Sequence, residues 1–483
     1  MRFFDREGEL AILNRLVTAS SKGKFNFVII SGRRGVGKTR LVFEAFEGKV
    51  PFLYLFIERK SLDIQIEKFA DKLEKVIGTR LPRVRDFESF LLLLKTIARE
   101  RNLVVVFDEF QNFRFVDESI FATIQEFVDR AKFEEGLRLL MIAIGSIIGM
   151  MRNIFENREA PLYGRATAKI SLKPFEFWRI RRLLRDHGLR SEEEIIEVYS
   201  MLGGMPRYYD TIDRLDLGLN KRSVIRFFTT KGYPGWKEVR DELIEEFRDA
   251  HPTYFSILEA ISIGKCTSSE IADYTGIPHK SIHKYLNELA NYFEIIEKRA
   301  PYGVKTGVRG ARYHMKDPFY RFWFRYIFPN MDLIDLERVE HLRRHIEDDL
   351  PNHVGPVFED IIRNTILAAS GLQINDIKIP KINRIGAWWD RKGNEIDIVG
   401  GWGRRIILVG EITWSSKPYN IKDIEELIMK VEIAGIREPV IFVVAREGAT
   451  RSAKAYIEEK GGHILTMKEL VQIWDYLTYP PKE

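Results

Sequence analysis

The sequence has few features of a secreted or membrane protein. Only one cysteine, Cys266, occurs among 483 residues, which excludes an internal disulfide and a multi-cysteine zinc site. The longest nearly apolar run, 139–151, is shorter than the roughly 18 residues that cross a bilayer, and the N-terminus MRFFDREGEL lacks an apolar signal core. We therefore expect a cytoplasmic protein with no membrane contact, in which carboxylates and phosphates bind any metal.

A strong excess of charge is also missing, since 76 Lys and Arg are balanced by 70 Asp and Glu. A net charge of +6 is too diffuse to indicate nucleic-acid binding by itself. The excess is concentrated in one stretch, 264–325, where eleven basic and six acidic residues carry +5 of it. Any surface for a polyanion is expected in that stretch.

Apolar residues, in contrast, are abundant. They form 45% of the chain and charged residues 30%, a balance typical of folded soluble proteins. The length exceeds what one ordinary hydrophobic core accommodates, so we expect two to four domains.

The segment FNFVIISGRRGVGKTRLVFEAF, residues 25–46, predicts a buried strand, a glycine-rich loop and a helix. The loop fits G-x-x-x-x-G-K-[ST], in which glycines let backbone N–H groups turn inward around phosphates and the helix adds its positive end. Lys38 is expected to reach the terminal phosphates, and the Thr39 hydroxyl to bind Mg²⁺. The predicted ATP site comprises Gly32, Arg33, Arg34, Gly35, Val36, Gly37, Lys38, Thr39 and Arg40.

Two further apolar runs end in polar residues. The run 103–107 predicts a fully buried parallel strand. It ends in Asp108 and Glu109, which are placed as a Walker B motif: Asp108 would hold the magnesium shell and Glu109 would polarise the attacking water. The run 139–144 ends near Ser146, our candidate for a polar sensor of the γ-phosphate.

With these motifs, residues 1 to about 330 resemble the archaeal ATPase family, a branch of the STAND class of signal-transducing P-loop NTPases related to AAA+ proteins. Four further elements carry the resemblance: FDREGEL at 4–10, DEFQ at 108–111, PLYGR at 161–165 and GGMP at 203–206.

The resemblance implies roles for single residues. Arg6 would lie beside the adenine, and Gly204 and Pro206 against the base and sugar. Arg165 would act near the terminal phosphate as an arginine finger or sensor. A finger acting in trans would imply a homo-oligomer, and the sequence does not distinguish cis from trans. STAND proteins are usually slow switches in which ATP and ADP favour different lid positions.

Residues 268–300, SSEIADYTGIPHKSIHKYLNELANYFEIIEKRA, predict a helix-turn-helix with a wing. The second helix would present a basic face, which can enter the major groove of DNA, and bury an apolar one. The basic face comprises His279, Lys280, His283 and Lys284. In STAND and AAA+ relatives a winged helix also serves as a lid or partner-binding module, so both roles stay open.

From about residue 356 the chain resembles the C-terminal domain of unknown function that often follows archaeal ATPases and has the look of a PD-(D/E)xK nuclease. Asp397 and Glu411 on adjacent strands would share Mg²⁺, with Glu359 contributing from the start of a helix. Thr413 stands where the nuclease pattern has a lysine, and Lys417 in the following loop is the candidate replacement. Cleavage, binding without cleavage, and a structural or regulatory role all remain open.

The predicted fold class is therefore α/β, with a P-loop NTPase core of the AAA+/STAND type and a C-terminal α/β restriction-endonuclease-like domain. The predicted segments are the core at 1–175, a helical lid at 176–245, the winged helix-turn-helix at 246–330, a helical linker at 331–355 and the nuclease-like domain at 356–483. The expected function is an ATP-hydrolysing, Mg²⁺-dependent switch or remodeller that acts in a nucleic-acid process through its winged-helix and nuclease-like domains. The alternative is an ATP-regulated protein-binding scaffold with an inactive nuclease-like domain.

Overall fold

A computed structural model describes residues 3–304 and 310–480. The chain divides into two compact units. Unit 1 consists of Met1–Pro174, Met205–Asp210 and Asn291–Glu294, and unit 2 of Phe175–Gly204, Thr211–Ala290 and Ile295–Glu483. The five predicted segments stay a prediction.

Unit 1 is built on a five-stranded sheet in the order β2-β3-β4-β1-β5, with every neighbouring pair parallel. Strands β3 and β4 are buried along their whole length, because their continuous apolar sequences suit a sheet covered on both faces. The parallel α/β core predicted from the sequence is thereby confirmed. The strands are β1 (Asn26–Ser31), β2 (Phe52–Phe56), β3 (Leu103–Asp108), β4 (Leu139–Gly145) and β5 (Ala168–Ser171).

The helices of unit 1 are α1 (Glu7–Ser21), α2 (Lys38–Phe46), α3 (Leu62–Ile77), α4 (Phe87–Glu100), α5 (Phe113–Val116), α6 (Ile120–Ala131) and α7 (Ile148–Phe155). Helices α3 to α7 pack apolar side chains against the sheet in one core cluster.

Helices dominate the next part of the chain. They are α8 (Phe177–Asp186), α9 (Glu192–Leu202), α10 (Pro206–Arg214), α11 (Lys221–Thr229), α12 (Pro234–Phe247), α13 (His251–Ser262), α14 (Ser268–Thr275) and α15 (His279–Asn287). An antiparallel pair follows, β6 (Ile296–Arg299) and β7 (Arg312–Met315). After it come α16 (Pro318–Phe322) and α17 (Met331–Asp335). The aromatic side chains of 319–326 form part of the core of unit 2, with Trp323 and Tyr326 fully buried.

Helix α18 (Glu340–Ala368) runs through the predicted boundary between linker and nuclease-like domain. Pro351 and Pro356 lie inside it, although each proline removes a backbone donor and tends to kink a helix. Buried side chains on either side of the prolines, such as Leu350 and Phe358, keep the segment helical by tertiary packing. Glu359 therefore lies in the second half of a long helix, and its expected position at a helix start is wrong.

The C-terminal part contains a mixed sheet in the order β10-β11-β12-β13-β14. The first two pairings are antiparallel and the last two parallel. Strands β12 and β13 approach so closely at Gly410 that a Cβ there would lie 1.9 Å from the Phe442 carbonyl oxygen. The elements are β8 (Gln373–Ile374), β9 (Ile377–Lys378), β10 (Arg384–Trp389), β11 (Glu395–Trp402), β12 (Arg405–Thr413), α19 (Ile421–Ile433), β13 (Val440–Ala445), α20 (Arg451–Glu459), β14 (His463–Leu465) and α21 (Met467–Thr478).

No helix in the described ranges combines the length and the apolar character that a membrane span needs.

Candidate functional site

The glycine-rich loop joins β1 to α2 as the sequence predicts. Gly35 and Gly37 have φ values of 83° and 95°, which glycine adopts without strain. A Cβ on Gly32 would lie 2.5 Å from the Leu172 carbonyl oxygen, so this turn also requires glycine for close packing. The loop therefore presents backbone N–H groups and the start of α2, the arrangement that binds phosphates.

Lys38 is buried within this loop. Its ammonium donates hydrogen bonds to the carbonyl oxygens of Gly32 at 2.7 Å and Arg33 at 3.0 Å. These bonds fold the side chain back over the loop and hold its positive charge where the phosphates of a nucleotide bind.

The predicted magnesium ligands lie side by side. The Thr39 hydroxyl donates to Asp108 Oδ2 at 2.7 Å, across the neighbouring ends of α2 and β3. Tyr54 on β2, which sequence reasoning missed, donates to the same oxygen at 2.6 Å. Burial, together with the adjacent Asp108 carboxylate, raises the pKa of Tyr54, so it remains a neutral donor. Hydroxyl and carboxylate oxygens are ligands that Mg²⁺ prefers, so this pair fits the ion.

Glu109 directly follows β3 and adopts a left-handed backbone conformation with φ of 55°. Its Oε2 accepts hydrogen bonds from the Ser146 hydroxyl at 2.6 Å and from the Gln111 amide. The structure thus places Ser146, which follows β4, beside Glu109, which follows the neighbouring strand β3. In the sequence, Gln111 stands out only as part of the DEFQ motif. Its contact with the Glu109 carboxylate depends on a short 3₁₀ turn that the sequence does not reveal.

Of the other residues predicted for the nucleotide, Arg6, Arg40 and Pro206 lie in unit 1 with the loop, whereas Gly204 belongs to unit 2. Arg6 donates to the Lys173 carbonyl oxygen at 2.6 Å and to Glu9 at 3.1 Å. Arg40 is 3.7 Å from Asp210. Pro206 Cγ would be 3.9 Å from a Cβ on Gly37, so the start of α10 lies over the phosphate loop.

Arg165 is held by a partner that the sequence did not indicate. Its Nε and Nη2 donate to the Asp129 carboxylate at 3.0 and 2.9 Å. The guanidinium is 23% and the carboxylate 44% exposed, which makes the pair a weak surface interaction despite its two-pronged geometry. A finger role therefore requires Arg165 to leave Asp129.

Unit 2 carries the predicted basic face. His279, Lys280, His283 and Lys284 on α15 are all exposed, whereas Ile282 is buried. His279 lies 3.2 Å from Asp273 of the preceding helix. Helices α13 to α15 are followed by the antiparallel β6–β7 pair, and the basic face is exposed to solvent. The helix-turn-helix with a wing stays a prediction.

The C-terminal carboxylates lie together on neighbouring strands. Ile398 pairs with Gly410 across β11 and β12, which makes Asp397 and Glu411 neighbours. Asp397 Oδ2 accepts the backbone N–H of Ile412 at 3.0 Å. Burial raises the pKa of Glu411, and the adjacent Asp397 carboxyl raises it further. Two carboxyl groups so close in a half-buried site do not both ionise easily without a cation.

The cation that the structure supplies is Lys430 of α19. Its Nζ lies 3.2 Å from Glu411 Oε1. The expected candidate, Lys417, is exposed in the loop after β12. Sequence reasoning missed Lys430, although a signal exists: it lies three residues after buried Leu427 and one before buried Val431, within the apolar stripe of its helix.

Glu359 reaches the same region from α18. It accepts a hydrogen bond from Arg363 at 3.1 Å, and Arg363 also donates to the Asp397 carbonyl oxygen at 2.9 Å. Burial raises the pKa of Glu359; the charges of Asp397 and Asp360 add to this, and Arg363 opposes it. Within the part of the chain that the structure describes, no three His, Cys, Asp or Glu side chains form a group that could hold a metal ion. The metal role of Asp397, Glu411 and Glu359 therefore stays a prediction, with two of the three side by side.

Comparison with known proteins places these sites in a family. A family described as an ATPase domain predominantly from Archaea matches residues 3–212. A second, described as archaeal and bacterial proteins of unknown function, matches residues 323–426. An uncharacterized protein of Methanocaldococcus jannaschii, MJECL04, is 30% identical over 444 residues, which cover 90% of this chain and 93% of that protein.

Two solved structures are also similar. The Walker-type ATPase PABY2304 of Pyrococcus abyssi has a TM-score of 0.49 at 23% identity, over 67% of this chain and 96% of the other. The ORC2 protein of Aeropyrum pernix, solved as ADPNP-ADP complexes, has a TM-score of 0.47 at 13% identity, over 72% of this chain and 96% of the other. With its ATPase domain and its nearly full-length relative, the chain belongs to the archaeal ATPases that carry this C-terminal domain of unknown function, and is an ATP-hydrolysing enzyme.

Proposed function

We propose that unit 1 binds Mg-ATP at the glycine-rich loop and that Glu109 polarises the attacking water. The observation that carries the proposal is the 2.7 Å contact between Thr39 and Asp108, which pairs two oxygen ligands for Mg²⁺ beside the Glu109 carboxylate. The ion would offset the negative charge of the phosphates. Lys38 would add a second positive charge to the terminal phosphates, and the N–H groups of 32–39 would bind their oxygens.

The contacts of Glu109 support a slow switch. A carboxylate that accepts two hydrogen bonds has less freedom to orient a water molecule. Ser146 and Gln111 therefore act as a restraint on hydrolysis. The proposed sensor role of Ser146 is compatible with this, because a hydroxyl that turns to a phosphate oxygen releases Glu109.

Turnover of ATP by purified full-length variants tests the site. We expect Lys38→Ala to lose nucleotide binding, because the loop loses its buried ammonium. We expect Glu109→Gln to keep binding and lose turnover by roughly 100-fold or more, the typical contribution of a positioned base. Lys24→Ala, an exposed lysine before β1, is the matched control. Equal turnover of wild type and Glu109→Gln would rule out this assignment.

Mixing variants tests whether Arg165 acts in trans. Lys38→Ala and Arg165→Ala would each be inactive alone. If an oligomer brings Arg165 of one copy to the nucleotide of another, the mixture recovers turnover, because some sites combine an intact loop with an intact arginine. A mixture as inactive as its components favours action in cis.

We further propose that the exposed basic face of α15 binds DNA phosphates and that ATP controls this contact. The support is the joint exposure of Lys280 and Lys284 on one helix. Replacing both by Glu should weaken binding of a double-stranded probe and reduce its dependence on salt by roughly two phosphate contacts. The same double change at exposed Lys22 and Lys24 of unit 1 is the control. Binding that is insensitive to salt, or absent, favours the protein-binding scaffold.

Lys430 supports a second candidate function, cleavage of nucleic acid by the C-terminal domain. It places an ammonium beside Glu411. The nuclease pattern supplies this positive charge from a lysine at the position where the present sequence has Thr413. Asp397 and Glu411 would hold a Mg²⁺ ion that lowers the pKa of a bound water, and Lys430 would stabilise the resulting negative charge. Incubation of single- and double-stranded DNA with Mg²⁺ or Mn²⁺ tests this. Lys430→Met should abolish cleavage and Lys417→Met should not; no cleavage by the wild type would leave the domain a regulatory or binding module.

A further inference from the structure

Tyr54 lies beside the predicted magnesium ligands, although neither the sequence motifs nor the function proposed above includes it. It belongs to β2, an edge strand of the sheet in unit 1, and pairs with Val106 of β3. Its hydroxyl donates a 2.6 Å hydrogen bond to Asp108 Oδ2, the oxygen that also accepts from Thr39 at 2.7 Å. Tyr54 therefore reaches the magnesium pair from the sheet, whereas Thr39 reaches it from the start of α2.

The ring of Tyr54 packs on the same helix that carries Thr39. Phe43 lies four residues after Thr39, which places it on the same face of α2, and its ring centroid is 5.0 Å from that of Tyr54. Phe43 also packs on Phe52, two residues earlier on β2, at a centroid distance of 5.3 Å. Tyr54 thus connects α2 to β3 through one ring contact and one hydrogen bond.

The backbone that follows β2 is also held where it passes the site. The Ile57 N–H donates to the Asp108 carbonyl oxygen at 2.9 Å. The Ile57 carbonyl oxygen in turn accepts a hydrogen bond from the buried Asn112 amide at 2.9 Å. These bonds attach the end of β2 to both sides of Glu109, so the Tyr54 hydroxyl reaches Asp108 from a strand whose position is set independently.

Both oxygens of the Asp108 carboxylate therefore have a donor. Oδ1 accepts the Glu109 backbone N–H at 2.8 Å, and Oδ2 accepts the two hydroxyls. The Thr39 hydroxyl is a poor anchor for the carboxylate, because its oxygen is itself a predicted ligand of the ion and would turn toward it. The Tyr54 hydroxyl has no such second role, so it can hold Asp108 both before and after the ion binds.

We propose that Tyr54 is a positioning residue for the metal: it orients Asp108 for Mg²⁺ and thereby raises the affinity of the nucleotide site for the ion. This inference rests on the Mg-ATP site proposed above and adds the residue that prepares it. Mg²⁺ requires near-ideal octahedral geometry, so an oriented carboxylate binds it better than a freely rotating one. Groups that hydrogen-bond to a metal ligand typically contribute about 10–100-fold in metal affinity.

Thermal unfolding of the full chain at a fixed, saturating concentration of ADP tests the proposal, with Mg²⁺ as the titrated probe. ADP has no γ-phosphate to hydrolyse, so the Tm reports binding of the ion and not turnover. We expect Mg²⁺ to raise the Tm of the wild type. For Tyr54→Phe, which keeps the ring contact with Phe43 and removes only the hydroxyl, half of this increase should require about tenfold more Mg²⁺.

Phe52→Leu is the matched control, because it loosens the packing of the same strand on Phe43 and leaves the Tyr54 hydroxyl in place. It should lower the Tm without ligand and leave the half-maximal Mg²⁺ concentration unchanged. An unchanged or lower Mg²⁺ requirement of Tyr54→Phe, or an equal increase in both variants, would overturn the proposal. If Mg²⁺ with ADP did not raise the Tm of the wild type, the Mg-nucleotide site itself would be refuted, and this inference with it.

Discussion

Gln111→Met tests whether Glu109 is restrained. The Gln111 amide donates to Glu109 Oε2, while its own Oε1 is buried without a partner. Methionine has a similar length and no donor, so it releases the carboxylate. It also removes an unsatisfied acceptor, which by itself destabilises a fold by about 1–3 kcal/mol. The variant should therefore fold.

The size of the effect follows from the bond that is lost. A hydrogen bond to a charged group contributes about 1.5–3 kcal/mol, and each 1.4 kcal/mol changes a rate by about tenfold. In the variant, the Ser146 hydroxyl can still donate its 2.6 Å hydrogen bond to Glu109. We therefore expect a free-energy change at the lower end of this range. Steady-state ATP turnover at saturating Mg-ATP should rise by about tenfold.

Gln65→Met is the control for this substitution. Gln65 is equally buried in unit 1, and its amide bonds the backbone of Glu58 and Lys60. Its loss should lower stability and leave turnover unchanged. If Gln111→Met instead lowers turnover as Glu109→Gln does, the amide positions the carboxylate for catalysis, and the restraint argument is wrong.

Three further changes have defined outcomes. Asp129→Asn should raise ATP turnover by about two- to fivefold if Arg165 must leave this partner, because an exposed ion pair contributes only about 0.2–1 kcal/mol; unchanged turnover would remove Arg165 from the site. Burial lowers the pKa of His353 to about 3, so as the pH falls this histidine is protonated in the unfolded chain before it is protonated in the folded one. The stability that neutral His353 contributes is therefore fully present above pH 6.5 and is lost as the pH falls toward 3. Between pH 7 and 5 the free energy of unfolding of the wild type should fall by about 2 kcal/mol more than that of His353→Gln, as measured by urea unfolding; equal changes in the two proteins would contradict the assignment. Gly410→Ala should destabilise unit 2 by about 3 kcal/mol or more, seen as a lower urea midpoint, because its Cβ would lie 1.9 Å from a carbonyl oxygen.

The phosphate site was predictable because its residues are local. Strand β1, the loop and α2 occupy one stretch of chain, so spacing alone places Gly37, Lys38 and Thr39 correctly. The strands that end at Asp108 and Ser146 were identified by continuous apolar runs, and parallel strands in one sheet bring such ends to the same edge. The restraint by Gln111 and the pairing of Arg165 with Asp129 were not predictable, because each depends on side-chain direction after a turn.

In the C-terminal domain, too, a contact that depends on tertiary packing could not be predicted from the sequence. The resemblance to a nuclease-like domain placed Asp397 and Glu411 on adjacent strands, and the pairing of β11 with β12 confirms this position. The lysine expected beside them was Lys417, the nearest one after Thr413 in the chain. The cation comes from Lys430, because α19 packs across the sheet and turns its stripe of Leu427 and Val431 inward. A lysine within an apolar stripe must lie near a counter-ion, since burying an unpaired ammonium is costly. That rule would have directed attention to Lys430.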